Sequence, residues 1–121
     1  MNEWKVWLPG AWPGYNEFHK ARGHWASSLQ LKKSWQTAAG LLIKSAKVPH
    51  VEACTLSYLH RRRNRRFDRS NLAFGAAKII EDALQDVGVL DDDGWNYVVG
   101  FDHQFEVATP EGVLLTIRAA P

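Results

Sequence analysis

The sequence has a single cysteine among its 121 residues, so no disulfide can form within the chain. The lone thiol and the absence of a Cys-x-x-Cys spacing also exclude a thiolate zinc site. Apolar runs are only a few residues long, too short for a transmembrane helix, and the first ten residues lack the apolar core of a secretory signal. These absences predict a protein of a reducing compartment, and we expect it in the cytoplasm with no membrane partner.

The charge is nearly balanced overall but unevenly distributed. The chain carries 15 Lys and Arg against 13 Asp and Glu, a formal net charge of +2. Six arginines lie in the nine positions from Arg61 to Arg69, and an acidic triplet follows at Asp91–Asp93. Six neighbouring guanidinium groups repel one another unless a polyanion or acidic neighbours offset them. The arginine segment therefore predicts a phosphate-backbone partner, with a solvated basic loop as the alternative.

The pattern of apolar residues predicts one α+β domain over residues 1–121, a length that allows only one core. Alternation and turn residues predict four strands, at Trp4–Leu8, Val51–Leu59, Tyr97–Val107 and Gly112–Arg118. Helical spacing predicts two helices, over Trp25–Lys47 and from Ser70 or Asn71 to Val87, the second ending at Gly88. Residues 10–23 are rich in Pro and Gly and predict a loop. The order β-α-β-α-β-β predicts a mixed sheet of about four strands with two helices packed on it.

A polar stripe runs along the second predicted helix, apart from its apolar face. At about 100° per residue, Asn71, Lys78 and Asp82 fall within about 60° of one another, with Gly75 between them. Gly75 leaves the middle of the stripe bare, where a ligand or another backbone can approach closely. The alternative is an exposed i,i+4 pair between Lys78 and Asp82, which stabilises a helix by only about 0.3–0.5 kcal/mol.

Carboxylates lie at both ends of this helix. Asp68 precedes it and Asp91–Asp93 follow it, so an antiparallel return of the chain would bring one of the triplet beside Asp68. Clustered carboxylates repel unless a cation neutralises them, and Mg²⁺ typically takes one or two carboxylates plus water and phosphate oxygens. With arginines nearby, these are the components of metal-assisted phosphodiester hydrolysis. The alternative for the triplet is a solvated turn.

Three segments resemble one nuclease family. Phe67–Leu72 (FDRSNL), Lys78–Leu84 (KIIEDAL) and Gly88–Trp95 (GVLDDDGW) are similar to the RusA family of Holliday junction resolvases, more narrowly to its phage and prophage members. Leu8–Gly10 and Tyr15–Phe18 resemble the family's early loop. The resemblance covers most of the chain. It implies a homodimeric, Mg²⁺-dependent endonuclease, with Mn²⁺ as a substitute metal, that cuts four-way DNA junctions by paired nicks.

The resemblance also implies roles for individual residues and a setting in DNA recombination or repair in a bacterial or phage-infected cell. By position, the implied catalytic residues are Asp68, Lys78 and Asp93, and the implied metal ligands are Asp68, Asp92 and Asp93. The implied supporting residues are Ser70, Asn71 and Asp82. The expected DNA contacts are Asn16, Arg61, Arg62, Arg63, Arg65, Arg66 and Arg69, and Trp12 is a further candidate. No P-loop or dinucleotide fingerprint is present, so we expect no small-molecule cofactor.

One position departs from the family's pattern. The second Asp of its Asp-x-Asp-Asn motif is Ser70 here, and a neutral hydroxyl is a weaker Mg²⁺ ligand than a carboxylate. Two functions remain open on these grounds, a junction resolvase or a RusA-like junction-binding protein whose cleavage is weakened or lost. A third is an interaction domain whose arginines bind an acidic protein.

Overall fold

The computed structural model of the chain describes residues 2–19 and 25–121. In these residues, four strands and three helices follow one another as β1 (Glu3–Pro9), α1 (Tyr15–His19), α2 (Trp25–Ser45), β2 (Cys54–Arg62), α3 (Arg69–Asp86), β3 (Val98–Val107) and β4 (Gly112–Ala119). The predicted α+β domain with a four-stranded mixed sheet is confirmed. In the described ranges, no helix combines the length and apolar character needed to cross a membrane.

The sheet has the strand order β1-β4-β2-β3. β4 runs antiparallel to both β1 and β2, whereas β2 and β3 are parallel. In this register Tyr58 of β2 is paired with Leu115 of β4 on one side and with His103 of β3 on the other. β2 therefore separates the two last strands, although they are joined by a short turn in sequence.

The core lies between one face of this sheet and helices α2 and α3. Leu56, Leu115 and Ile117 of the sheet are fully buried, as are Ile43 of α2 and Ile79 of α3. Removing such apolar surface from water is the main stabilising contribution to the fold.

The two long helices run parallel to each other on that face. Lys32 Nζ of α2 lies 2.7 Å from Asp82 Oδ2 of α3, and Gln36 Nε2 lies 2.6 Å from Asp86 Oδ2. From the first pair to the second, the residue number rises by four in both helices. The axes of α2 and α3 therefore point in the same direction. The same packing brings Lys32 of α2 close to the polar stripe of α3.

Several element boundaries differ from the sequence-based prediction, and β2 begins at Cys54 rather than at Val51. β2 continues through Arg61 and Arg62 because both residues pair in the ladder with β3, and Arg61 also pairs with β4. The N-cap of α3 is Asp68 rather than Ser70 or Asn71, since its Oδ1 accepts the backbone N–H of Asn71 at 3.0 Å. The predicted stop at Gly88 is confirmed, because this glycine follows the C-cap with φ +79°.

The segment predicted as a loop over residues 10–23 contains the short helix α1, and its residues 20–23 lie outside the described part. Trp12 precedes this helix and is 3% exposed. Its Nε1 donates to the carbonyl of Leu8 at 3.0 Å, and its ring centroid lies 4.6 Å from that of Trp35. The candidate role of Trp12 as a DNA contact is therefore wrong, because its indole is part of the core.

Candidate active site and nucleic-acid interface

A cluster of charged side chains lies at the middle of α3 and on the loop that follows it. Lys78 Nζ is 3.5 Å from Asp82 Oδ1 and 3.8 Å from Asp93 Oδ2. The other oxygen of Asp82 is the one that Lys32 contacts at 2.7 Å. The fold thus brings together three of the residues that the sequence singles out, and adds a lysine from α2. Their catalytic and supporting roles stay predictions.

Glu81 belongs to this cluster, and sequence reasoning did not assign it to the site. It is half-buried, and burial, followed by the negative charge of Asp93, raises the pKa of its carboxyl to about 7. The hydroxyl of Tyr58 donates a hydrogen bond to Glu81 Oε2 at 3.3 Å. This hydrogen bond and the positive charge of Lys78 lower the pKa of Glu81 and so offset part of the rise. A carboxyl that titrates near neutral pH beside a lysine is suited to binding cations or moving protons. The only sequence signal was its position next to Asp82.

Asp68 lies at a different level of α3. It caps the helix ten residues before Lys78, which corresponds to about 15 Å along the helix axis. The structure gives Asp68 this capping role, and its role as a metal ligand stays a prediction.

The remaining predicted site residues have local structural roles. Asp92 Oδ1 accepts the backbone N–H of Asp93 at 2.7 Å and so shapes the turn. Asn71 Oδ1 accepts the backbone N–H of Asn16 at 2.7 Å and fixes α1 against α3. Ser70 is exposed on the first turn of α3. The side chain of Asn16 stays a predicted DNA contact.

The carboxylates at the middle of α3 are a second candidate donor set for a cation, in addition to the set predicted from the sequence. No three Asp, Glu, His or Cys side chains converge as a cation site in residues 2–19 and 25–121. Asp93 contacts Lys78 at 3.8 Å, and the charges of both residues act on the pKa of Glu81. Two carboxylates with water and phosphate oxygens are a typical Mg²⁺ environment. Asp82 fits less well, because Lys32 and Lys78 already neutralise it.

The arginine segment divides into two groups. Arg61 is hydrogen-bonded to Glu106, and its guanidinium lies 5.5 Å from the ring centroid of Trp7. Arg62 Nε lies 3.3 Å from Glu111 Oε2, and its Nη1 donates to the carbonyl of Trp12 at 3.0 Å. These two arginines are therefore held at the sheet, where neighbouring carboxylates offset their charge.

The other four arginines form what we call the arginine rim, defined as Arg63, Arg65, Arg66 and Arg69. All four are exposed around the start of α3. Their guanidinium groups have no acidic partner within the described ranges. Four unpaired guanidinium groups on one loop and helix start are a typical phosphate-binding surface. The predicted DNA contact is thereby concentrated on the arginine rim.

No model of a known protein family matches this chain, and a comparison with curated proteins likewise finds no match. The resemblance to the RusA family therefore rests on the motif residues alone. The structural features that bear on function are the charged cluster at Lys78 and the arginine rim.

Proposed function

We propose that the protein is a Mg²⁺-dependent endonuclease that hydrolyses phosphodiester bonds at four-way DNA junctions, acting as a homodimer in the cytoplasm. The observation that carries this proposal is the contact of Lys78 Nζ with Asp82 and Asp93, at 3.5 and 3.8 Å, beside the half-buried Glu81. A phosphodiesterase needs both cation-binding carboxylates and a positive charge near the reacting phosphate. The choice of branched DNA and the homodimer follow from the RusA resemblance.

Each residue of the cluster has a distinct role in this proposal. Asp93 and Glu81 would hold the cation, which when bound lowers the pKa of a coordinated water. Lys78 is a compact positive charge that offsets the charge developing on the phosphate. Asp82, fixed by Lys32, positions Lys78. Because Glu81 binds a cation only when it is ionised, nicking should rise with pH around neutrality.

The arginine rim would hold the DNA backbone. Phosphate contacts release counterions, so the logarithm of affinity falls with the logarithm of salt concentration by about 0.9 per contact. Four contacts from each protomer of the homodimer predict a slope of about −7 for binding to one junction. Contacts of this kind recognise the shape and charge of a junction rather than its base sequence.

The proposal is tested with a labelled four-way junction incubated with Mg²⁺, with Mn²⁺ and with a chelator. We expect paired nicks with either metal and none with the chelator. Lys78→Ala should lower the nicking rate by about two orders of magnitude, the typical effect of losing one group that stabilises developing charge. Lys33→Ala is the matched control, because Lys33 is exposed on α2 away from the cluster. Equal rates for the two variants would remove Lys78 from the mechanism.

A second candidate is a junction-binding protein without cleavage. It is favoured by the exposed neutral Ser70 and by the use of Asp68 as a helix cap. In the same assay it gives a stable junction complex and no nicked product with either metal. A third outcome, equal weak binding to junction and to duplex of the same length, would favour an acidic protein partner.

A further inference from the structure

A depression of about 720 Å³ lies between the end of β3 and the arginine-rich loop that leads into α3. Two aromatic rings line it, those of Phe67 and Phe105, with ring centroids 6.1 Å apart and an interplanar angle of 31°. Arg65 and Arg69 also line it, and Glu106 and Val107 complete the wall. None of these residues belongs to the charged cluster around Lys78.

Both rings are in contact with neighbouring side chains. The imidazole of His60 stacks on Phe105, with centroids 4.8 Å apart and an interplanar angle of 13°. The guanidinium of Arg62 lies 5.7 Å from the ring centroid of Phe67. A ring that is already fixed loses little conformational entropy when a ligand stacks on it, so this surface is pre-organised.

The charge of the depression selects the ligand. Arg65 and Arg69 have no acidic partner in the described part of the chain. The only carboxylate of the lining, Glu106, is hydrogen-bonded to Arg61, which offsets its charge. Guanidinium groups bind phosphate, and aromatic rings stack on nucleobases of any kind. A volume of this size is within the usual range for pockets that hold small molecules, and it accommodates one nucleotide.

We propose that this depression receives one unpaired nucleobase of the bound DNA, stacked on Phe67 and Phe105, with its flanking phosphates on Arg65 and Arg69. The inference rests on the proposed function in that it takes DNA as the partner. It adds that the protein binds an unstacked base at the branch point in addition to the backbone.

The test compares the affinities for three four-way junctions without added metal. One is fully paired, one carries a single unpaired dC at the branch point, and one carries an abasic residue at that position. Because the abasic residue keeps the phosphates and removes the base, the last two junctions differ only in contacts to the base. We expect the dC junction to bind about tenfold more tightly than the abasic one, in line with stacking of one base.

Variants assign this preference to the depression. Phe67→Leu retains apolar bulk against the core and removes the ring, so it should abolish the preference and leave binding to the paired junction within about twofold. Arg63→Gln is the control, because Arg63 lies on the same loop but outside the depression. It should weaken binding to all three junctions equally. Thermal unfolding followed by circular dichroism verifies that each variant is folded.

Equal affinities of the wild-type protein for the dC and abasic junctions would overturn the inference, and so would a preference that persists in Phe67→Leu. A parallel measurement with single-stranded oligonucleotides, with and without an abasic residue, separates this result from failure of the proposed function. If the protein prefers single strands with the base but does not bind junctions, the proposed junction endonuclease is refuted and base binding in the depression is supported. If it nicks junctions but shows no preference for the base, base binding in the depression is refuted and the proposed endonuclease is supported.

Discussion

Gly75 of α3 lies directly against the backbone of Gly14, since a β-carbon at Gly75 would be 2.8 Å from the carbonyl carbon of Gly14. The carbonyl oxygen of Pro13 and the amide nitrogen of Tyr15 would be closer still, at 2.6 and 2.7 Å. The bare position in the polar stripe therefore accommodates another stretch of backbone rather than a ligand. This contact places the segment before α1 beside the N-terminal half of α3.

Gly75→Ala should accordingly destabilise the protein. Helix propensity alone favours Ala over Gly by about 1 kcal/mol, but the added methyl meets backbone atoms that cannot rotate away, and overpacking costs about 1–3 kcal/mol or more. We expect the free energy of unfolding to fall by about 1–2 kcal/mol, measured in urea. Gly40→Ala in α2 is the control, because its methyl would meet only a side-chain carbon of Val87, at 3.2 Å. A stabilised Gly75→Ala variant would contradict this packing.

Glu81 should make stability depend on pH in a specific direction. Burial raises the pKa of Glu81 from 4.5 to about 7 in the folded state. The protonated form is favoured by folding, so this contribution is complete below about pH 4.5 and is lost as the pH rises through 7. The side chain of the Glu81→Gln variant cannot ionise. Between about pH 5 and pH 8, the unfolding free energy of this variant should therefore rise by about 1–2 kcal/mol relative to that of the wild type, a value that is reduced because Glu81 is partly exposed. Parallel wild-type and variant pH profiles in urea unfolding would refute the raised pKa.

How far the sequence predicts this molecule depends on whether a feature is local. The apolar spacing from Leu72 to Leu84 and the stop at Gly88 are local, and α3 is found where they indicate. The insertion of β2 between β3 and β4 depends on long-range pairing, which a turn at Thr109–Gly112 does not encode. The burial of Glu81 likewise depends on Tyr58 from another strand.

Asp68 caps α3, in addition to the metal-binding role that the RusA resemblance implies for it. Its carboxylate accepts the N–H of Asn71, so Asp68→Ala should lower the free energy of unfolding by about 1 kcal/mol, whereas Asp68→Asn retains the cap. Chemical unfolding of both variants checks this expectation, and equal losses would contradict the capping role. Nicking by the stable Asp68→Asn variant then tests the metal role. Activity lost without loss of stability assigns Asp68 as a ligand, as the RusA resemblance implies.

The division of the arginines into two groups predicts two different effects. Arg66→Gln in the arginine rim should leave stability unchanged and reduce the salt slope of junction binding by about 1.8, since each protomer of the homodimer loses one contact. Arg62→Gln removes the partner of Glu111 and a donor to the carbonyl of Trp12, so it should lower the unfolding temperature. Binding titrations at several salt concentrations and thermal melts measure the two effects. If both substitutions lowered the unfolding temperature equally, the division of the arginines into a paired group and an unpaired group would be contradicted.

His60 and His103 should make the protein sensitive to acid. His60 Nε2 lies 2.8 Å from His103 Nδ1, and His60 Nδ1 has no hydrogen-bond partner among the described residues. Burial, followed by the charges of His103 and Arg62, lowers the pKa of His60 from 6.5 to about 3.

Between pH 6.5 and pH 3, His60 is therefore protonated in the unfolded chain and neutral in the folded protein. The contribution of neutral His60 to stability is complete above pH 6.5 and is lost as the pH falls. At about pH 5 the loss is about 2 kcal/mol. His60→Phe keeps an aromatic ring against Phe105 and removes the titrating group, so its unfolding free energy should fall less between about pH 7 and pH 5. An identical acid response of His60→Phe would show that the buried imidazole is not the group responsible.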